Sequence, residues 1–121
     1  MRNYQDLVVW QKAHRLTLAV YRITQAFPKE EQFALTGQVR RASSSIGANL
    51  AEGCSRRSDR EMARFVQIAM GSGAELSYHF LLTRDLGFVK SIEYESLTSE
   101  LSEVMRMLSA LSGKLRNTVA A

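Results

Sequence analysis

The chain has 121 residues, of which 45% are hydrophobic and 23% charged, a composition that suits one globular domain and excludes a disordered chain. A single cysteine, Cys54, excludes an intrachain disulfide, and no stretch approaches the roughly 18 apolar residues needed to cross a bilayer. The net charge of +4 is a moderate attraction for anionic partners. Because the start of the chain also lacks the apolar stretch of a signal peptide, we expect a protein of the reducing cytoplasm without membrane association.

The first predicted helix covers residues 4–27, within a chain whose apolar residues recur at steps of three and four almost throughout. Asn3 is its expected N-cap, and Pro28 ends it because a proline ring removes a backbone donor. Its inward-facing line is predicted to contain Leu7, Trp10, His14, Thr17, Tyr21 and Thr24, with Val9, Leu16, Val20, Ile23 and Phe27 beside it.

The second helix is predicted over residues 30–54, with a start at about residue 36 as the alternative, and the third over residues 59–86. The third helix begins at a capping box, Ser58-Asp59-Arg60-Glu61, and ends at Gly87, the residue expected to take the left-handed conformation that terminates a helix. The inner line of the second helix is predicted to contain Leu35, Val39, Ala42, Ile46, Leu50 and Gly53. The inner line of the third is predicted to contain Met62, Phe65, Ala69, Leu76 and Phe80.

The fourth helix is predicted over residues 92–116, with Ser91 as its N-cap. Its apolar residues alternate at steps of four and three, and they are Leu97, Leu101, Val104, Leu108, Leu111 and Leu115. Short connections between long helices favour antiparallel neighbours. The sequence therefore predicts an all-α, up-down-up-down four-helix bundle.

Residues that could carry catalysis are scarce. His14 and His79 are the only histidines, and the chain has no metal-ligand spacing, phosphate-binding loop or nucleophile elbow. His14 is expected to be a packed residue, and the glycines of Gly71-Ser72-Gly73 are expected to let a neighbouring helix approach closely. We therefore expect no enzymatic activity, no cofactor, no metal ion and no small-molecule substrate.

The second helix carries two unusual faces besides its apolar line. A polar row contains Gln38, Arg41, Ser45, Asn49 and Glu52, and a face of small residues contains Ser44, Gly47, Ala48 and Ala51. The polar row is either an intrachain hydrogen-bonding network or a contact to another molecule. Small residues allow close approach of another chain, so this face is the predicted oligomer interface, although small residues are also tolerated at a plain surface.

Basic residues provide the argument for nucleic-acid binding, because arginine forks match the geometry of phosphate groups. The candidates are Lys12, Arg15, Arg22, Arg40, Arg56, Arg57, Arg60 and Arg64. We expect no aromatic residue to interleave with these arginines, which argues against base stacking. The alternative interpretation is a basic surface that serves only solubility.

Residues 27–53 resemble the bacterial four-helix-bundle proteins that are associated with intervening sequences in 23S ribosomal RNA genes. The resemblance rests on the pattern Gln-x-Arg-Arg-Ala at 38–42, Ser45-Ile46 and Asn-x-Ala-Glu-Gly at 49–53, with support from residues 7–13 and 68–76. It implies a closed homopentamer without known enzymatic activity. It also extends to fold-related accessory proteins of diversity-generating retroelements, which bind a reverse transcriptase and nucleic acid through a basic surface.

These observations favour a non-enzymatic oligomer that binds RNA, DNA or a nucleic-acid-processing partner. The alternative is a structural or protein-adaptor oligomer that has no role with nucleic acid.

Overall fold

The structure is a computed structural model that describes residues 2–120. Within that range the chain forms four α-helices preceded or joined by two short 3₁₀ turns, Tyr4–Asp6 and Lys29–Glu31. The α-helices are α1 (Val8–Thr24), α2 (Leu35–Cys54), α3 (Asp59–Asp85) and α4 (Ser91–Ala120). The all-α prediction is therefore confirmed.

Each helix packs against two others, so that α1, α2, α3 and α4 surround a common core. Contacts between α3 and α4 pair residues in opposite order along the two helices. Gln67, early in α3, donates to Ser112 at 2.9 Å, whereas the guanidinium of Arg84, late in α3, lies over the ring of Tyr94 near the start of α4. The same reversal relates α1 to α2 and α2 to α3. Neighbouring helices are therefore antiparallel.

The inner lines predicted for α2 and α4 are buried in the core, with only Leu111 of α4 half-buried. The predicted inner line of α1 is wrong in part. The face of α1 that packs into the core contains Val9, Ala13, Leu16, Val20 and Thr24. The rings of the predicted line carry polar tips that an apolar core could not satisfy, and they lie at the edge of the bundle.

The first helix begins later than the sequence suggested. Asn3 caps the 3₁₀ turn, because its Oδ1 accepts the Gln5 N–H at 3.0 Å, and the extended Leu7 separates that turn from α1. Likewise α2 begins at Leu35 and not near residue 30, since residues 29–31 form a 3₁₀ turn.

The later helix ends follow the sequence more closely. Ser58 Oγ accepts the Glu61 N–H at 3.2 Å, as a capping serine does, although the hydroxyl donates to the Glu61 carboxylate as well. Gly87 has φ of +77°, and the following N–H, that of Phe88, donates to Thr83 O at 2.9 Å, which completes the left-handed helix end.

The fourth helix is longer than predicted and begins differently. Ser91 is its first helical residue and not its cap. In place of a serine cap, the Glu93 carboxylate accepts the Lys90 N–H at 2.8 Å. At the other end α4 continues to Ala120, four residues beyond the predicted end at residue 116.

The two glycines in the middle of α3 have different surroundings. A side chain at Gly73 would collide with the sulfur of Met105 on α4, whereas one at Gly71 would meet no atom within 4 Å. Gly73 therefore makes room for a side chain of the neighbouring α4, whereas Gly71 faces open space.

None of the helices in residues 2–120 combines the length and the apolarity that crossing a bilayer requires.

Candidate functional site

Four of the predicted arginines meet at the turn between α2 and α3. Arg57 and Arg60 are exposed, while Arg56 pairs with Glu52 at 3.2 Å. The guanidinium carbons of Arg56 and Arg64 lie 4.9 and 5.5 Å from the centre of the Phe65 ring. Within residues 2–120, no carboxylate lies at salt-bridge distance from Arg57, Arg60 or Arg64.

Phe65 corrects the expectation that no aromatic residue interleaves with the arginines. Its position in the sequence predicted a core residue of α3, but its ring is only half-buried and contacts two guanidinium groups. Such contacts fix the arginines over the ring through cation–π attraction. A nucleic-acid base could stack on this ring only after displacing an arginine.

Three further basic residues, which were not predicted from the sequence, lie at the same end of the bundle. Arg2 is held there because its N–H donates to Cys54 O at 3.2 Å and its guanidinium pairs with Asp59 at 3.0 Å. Lys114 and Arg116 lie at this end because α4 runs antiparallel to α3, so that the last turns of α4 lie beside the first turns of α3. We call this surface the basic end, and its members are Arg2, Arg56, Arg57, Arg60, Arg64, Lys114 and Arg116.

The basic residues predicted on α1 are not part of the basic end. Lys12 pairs with Glu103 of α4 at 2.7 Å, and this contact, more than any other, lowers the pKa of the Glu103 carboxyl. Arg15, three residues after Lys12, is exposed on the same face of α1, and its charge also contributes to that lowering of the pKa. Arg22 is exposed on the last turn of α1.

Arg40 lies apart from the other predicted nucleic-acid contacts. Its Nε donates to Thr24 Oγ1 at 2.8 Å, and its guanidinium lies 4.7 Å from the centre of the Tyr21 ring. These contacts hold the side chain against α1, close to the start of α2. Arg40 is thus a fixed, half-buried group at the opposite end of the bundle from Arg57 and Arg60.

The centre of the polar row forms an intrachain network. Ser45 Oγ lies 2.9 Å from Ser72 Oγ of α3, and Asn49 Nδ2 donates to Ser45 O at 2.8 Å and to Ser45 Oγ at 3.0 Å. Gln38 and Arg41 are exposed on the same helix. Ser45 therefore joins α2 to α3, and Asn49 holds Ser45 from within α2. The intrachain alternative expected Arg41 and Glu52 to satisfy groups on neighbouring helices, but Arg41 is exposed and Glu52 pairs with Arg56 at the turn.

The small-residue face of α2 forms the floor of an open groove of about 460 Å³. Its floor contains Ser44, Gly47, Ala48 and Ala51, and its walls contain Tyr4, Trp10, His14, Leu18 and Tyr21. Of these wall rings, Trp10, His14 and Tyr21 were predicted to lie in the core. Trp10 lies so close to Gly47 that a β-carbon there would stand 3.2 Å from the indole Nε1.

The groove is apolar and open, because the aromatic rings of α1 cover only one side of the small residues. His14 is exposed in its wall, and Leu18 and Tyr21 are each 42% exposed. The groove thus combines exposed apolar side chains of α1 with the small residues of α2. His79, in contrast, is buried in α3.

In the described part of the chain, no group of three or more His, Cys, Asp or Glu side chains is arranged to hold a metal ion.

Comparison with known proteins supports the fold and the family. A family model described as 23S rRNA-intervening sequence protein matches residues 5–110. The fold is similar to the 1.70 Å crystal structure of a protein with unknown function from the S23 ribosomal protein family of Bacteroides thetaiotaomicron VPI-5482. That likeness has a TM-score of 0.81 at 22% sequence identity, and it covers 88% of this chain and 96% of that chain. No curated protein matches the chain.

Proposed function

The chain belongs to the family of 23S rRNA-intervening sequence proteins, and from that premise we propose that it is a cytoplasmic, non-enzymatic oligomer that binds nucleic acid. The contact is made by the basic end, either directly with RNA or DNA or with the charged surface of a nucleic-acid-processing partner. Binding does not depend on base sequence.

The observation that carries this proposal is the composition of the basic end. Its seven basic residues lie among four acidic ones, which are Asp6, Glu52, Asp59 and Glu61. Two of those four already pair with Arg2 and Arg56. The exposed guanidinium groups of Arg57 and Arg60 therefore remain available, and guanidinium groups match phosphate geometry and bind it through two parallel N–H donors.

The same surface lacks the features of sequence readout. Arg56 and Arg64 lie over the ring of Phe65, so this aromatic side chain offers no free stacking platform. Backbone phosphates present the same chemistry at every position of a strand. The basic end is therefore suited to binding backbone phosphates by electrostatic attraction, without dependence on base sequence.

Oligomerisation through the groove would multiply the effect of the basic end. A groove on one subunit that receives a different surface of the next generates a closed ring when the rotation between subunits is right. The family resemblance favours a homopentamer. Repeating the basic end around such a ring would combine several weak contacts into one strong one.

A salt titration tests the proposal directly. Fluorescence anisotropy of a generic labelled RNA and of a DNA of unrelated sequence should give similar affinities, each falling steeply as salt rises, because bound phosphates release counterions. Absence of binding to both at low ionic strength would remove the nucleic-acid role.

The groove favours one alternative function, a structural or protein-adaptor oligomer without a nucleic-acid role. In that case the protein would still assemble, and its assembly state would be independent of added RNA or DNA. Light scattering of the protein in both conditions, beside the anisotropy titration, distinguishes the two functions.

A further inference from the structure

A small polar cleft lies at the opposite end of the bundle from the basic end. It has a volume of about 170 Å³ and lies between the end of α1 and the start of α2. The residues in its lining that matter for ligand chemistry are Thr24, Lys29, Gln32, Thr36 and Arg40. Its volume is well below the roughly 300 Å³ at which pockets for drug-sized ligands begin. The cleft suits a small ligand or one group of a larger one.

Thr36 lines the cleft with a hydroxyl that the protein leaves unsatisfied. The residue is only 6% exposed, and Oγ1 has no hydrogen-bond partner among the described side chains and backbone. A buried hydroxyl without a partner destabilises the fold relative to a satisfied one. Because less than 1 Å² of Oγ1 is exposed, a ligand oxygen in the cleft reaches it when the Thr36 side chain rotates, and the bond then formed removes that penalty.

Through Thr36 the cleft borders the first turn of α2, where backbone N–H groups lack intrahelical acceptors. Ala34, the N-cap, provides no side-chain cap. Its own N–H donates to Glu31 O at 3.0 Å, and the Leu35 N–H donates to the Glu31 carboxylate at 3.3 Å. In residues 2–120 this leaves the N–H groups of Thr36 and Gly37 without an intrachain acceptor. Unsatisfied N–H groups at the start of a 20-residue helix favour an anion.

Arg40 adds a positive charge whose position is already fixed. Its Nε and one terminal nitrogen donate to Thr24 Oγ1 and, at 3.4 Å, to Tyr21 O. The other terminal nitrogen has no assigned partner within the described chain. Because Thr36 and Arg40 are four residues apart, they lie on the same face of α2, and Lys29 brings a second positive charge to the rim.

We propose that this cleft binds a phosphate group, as inorganic phosphate or as a terminal phosphate monoester of a nucleotide chain. The Thr36 hydroxyl donates to one phosphate oxygen, Arg40 donates to another, and the positive end of the α2 dipole lies on the Thr36 side of the cleft. The site is independent of the basic end, from which the 20 residues of α2 separate it by about 30 Å.

Isothermal titration calorimetry with inorganic phosphate, in a phosphate-free buffer of low salt, tests the site. We expect saturable binding at one site per chain. Thr36→Val should weaken it about tenfold, since it removes one hydrogen bond to a charged group, and Arg40→Gln should weaken it at least as much. The matched control, Arg22→Gln, removes an equal charge from an exposed position on the neighbouring helix and should leave the affinity unchanged.

The stability of Thr36→Val separates ligand binding from a structural role. Its thermal midpoint without phosphate should equal or exceed that of the wild type, because the buried hydroxyl has no partner to lose. The proposal is overturned by wild-type protein that shows no saturable phosphate binding, or by Thr36→Val protein that binds phosphate as tightly as the wild type.

Two oligonucleotides that differ only at the 5′ end identify the source of the phosphate. Tighter binding of the 5′-phosphorylated form, lost in Thr36→Val, supports a nucleic-acid terminus as the ligand. Equal binding of both forms, together with the phosphate titration, supports a free anion. The extra charge of the 5′-phosphate also strengthens binding through the basic end, but that gain persists in Thr36→Val, so only the part lost in the variant reports on the cleft.

Discussion

The imidazole of His14 lies almost parallel to the indole of Trp10, with ring centroids 4.9 Å apart and an angle of 7° between the planes. The two rings form one wall of the groove between α1 and α2. Ordinary solvated helix surface would carry Lys and Glu at these positions. The stacked pair therefore supports the proposal that another subunit packs on the groove.

Filling the floor of the groove should lower the assembly state. Ser44→Trp places an indole on the exposed small-residue face, where a neighbouring subunit would have to approach closely. Light scattering coupled to size-exclusion chromatography should show a smaller molar mass, with helicity unchanged by circular dichroism. Ala110→Trp, at an exposed alanine of α4, is the control and should assemble normally. An unaltered mass for Ser44→Trp would refute the groove as the interface.

Removing two arginines of the basic end should weaken nucleic-acid binding and reduce its salt dependence. For Arg57→Gln with Arg60→Gln, we expect the slope of log affinity against log salt to become shallower by roughly 0.9 for each phosphate that the variant no longer neutralises. Arg41→Gln with Lys90→Gln removes the same charge from exposed positions towards the other end of the bundle. If both double variants lose affinity equally, only overall charge matters and the basic end is not a site.

The two central glycines of α3 should respond in opposite directions to alanine. Gly71→Ala should raise the free energy of unfolding by about 0.5–1 kcal/mol, since alanine favours a helix and the space is open. Gly73→Ala should lower it by up to about 2 kcal/mol, because the new methyl group collides with Met105 and overpacking exceeds the gain in helix propensity. Urea denaturation measures both. A stabilised Gly73→Ala would mean that Met105 moves aside freely.

Cys54 should make the protein less stable in alkaline solution. Burial raises the pKa of its thiol, more than offsetting the lowering by the Arg2 charge. The folded state therefore keeps its proton at a pH where the unfolded thiol, with its ordinary pKa of about 8.5, has lost it. The stability contributed by the protonated thiol is complete below that pH and is lost as the pH rises towards the higher folded value.

The measurement is the free energy of unfolding from pH 7 to pH 10 for the wild type and Cys54→Ser. We expect the wild type to lose more stability over this interval than the variant, whose hydroxyl does not titrate there. Parallel curves would show that the thiol does not carry the pH dependence. In the same range a thiol reagent should modify Cys54 only after the protein unfolds.

Much of the fold could be predicted because local signals and packing agree. The heptad of α4, the inner line of α2 and the terminator at Gly87 each depend on residues close in sequence. The rotation of α1 could not be predicted in this way. Its two candidate lines, one through Val9 and one through Trp10, are both apolar by composition, and only the packing against α2 and α4 selects the first.

Individual parts of the candidate site could be predicted from the sequence, but which residues come together in the folded protein could not. The small-residue face was identified from the period of α2, but its aromatic walls come mainly from residues assigned to the core of α1. Similarly, Lys12 and Arg40 have the same charge as Arg57, yet Glu103 and Thr24 occupy their donors. Such partners come from other helices, so no pattern within one helix reveals them.

The even number of antiparallel helices has a practical consequence for experiments with this protein. Arg2 and the last turns of α4 both lie beside the α2–α3 turn. An affinity tag or fluorescent fusion on either terminus would therefore stand next to Arg57 and Arg60, and a polyhistidine or acidic linker would change the electrostatics there. A label at the α3–α4 turn near Gly87 leaves those arginines unobstructed, but it stands beside the cleft of Thr36 and Arg40, because Phe88 packs against Phe27 in the cleft lining.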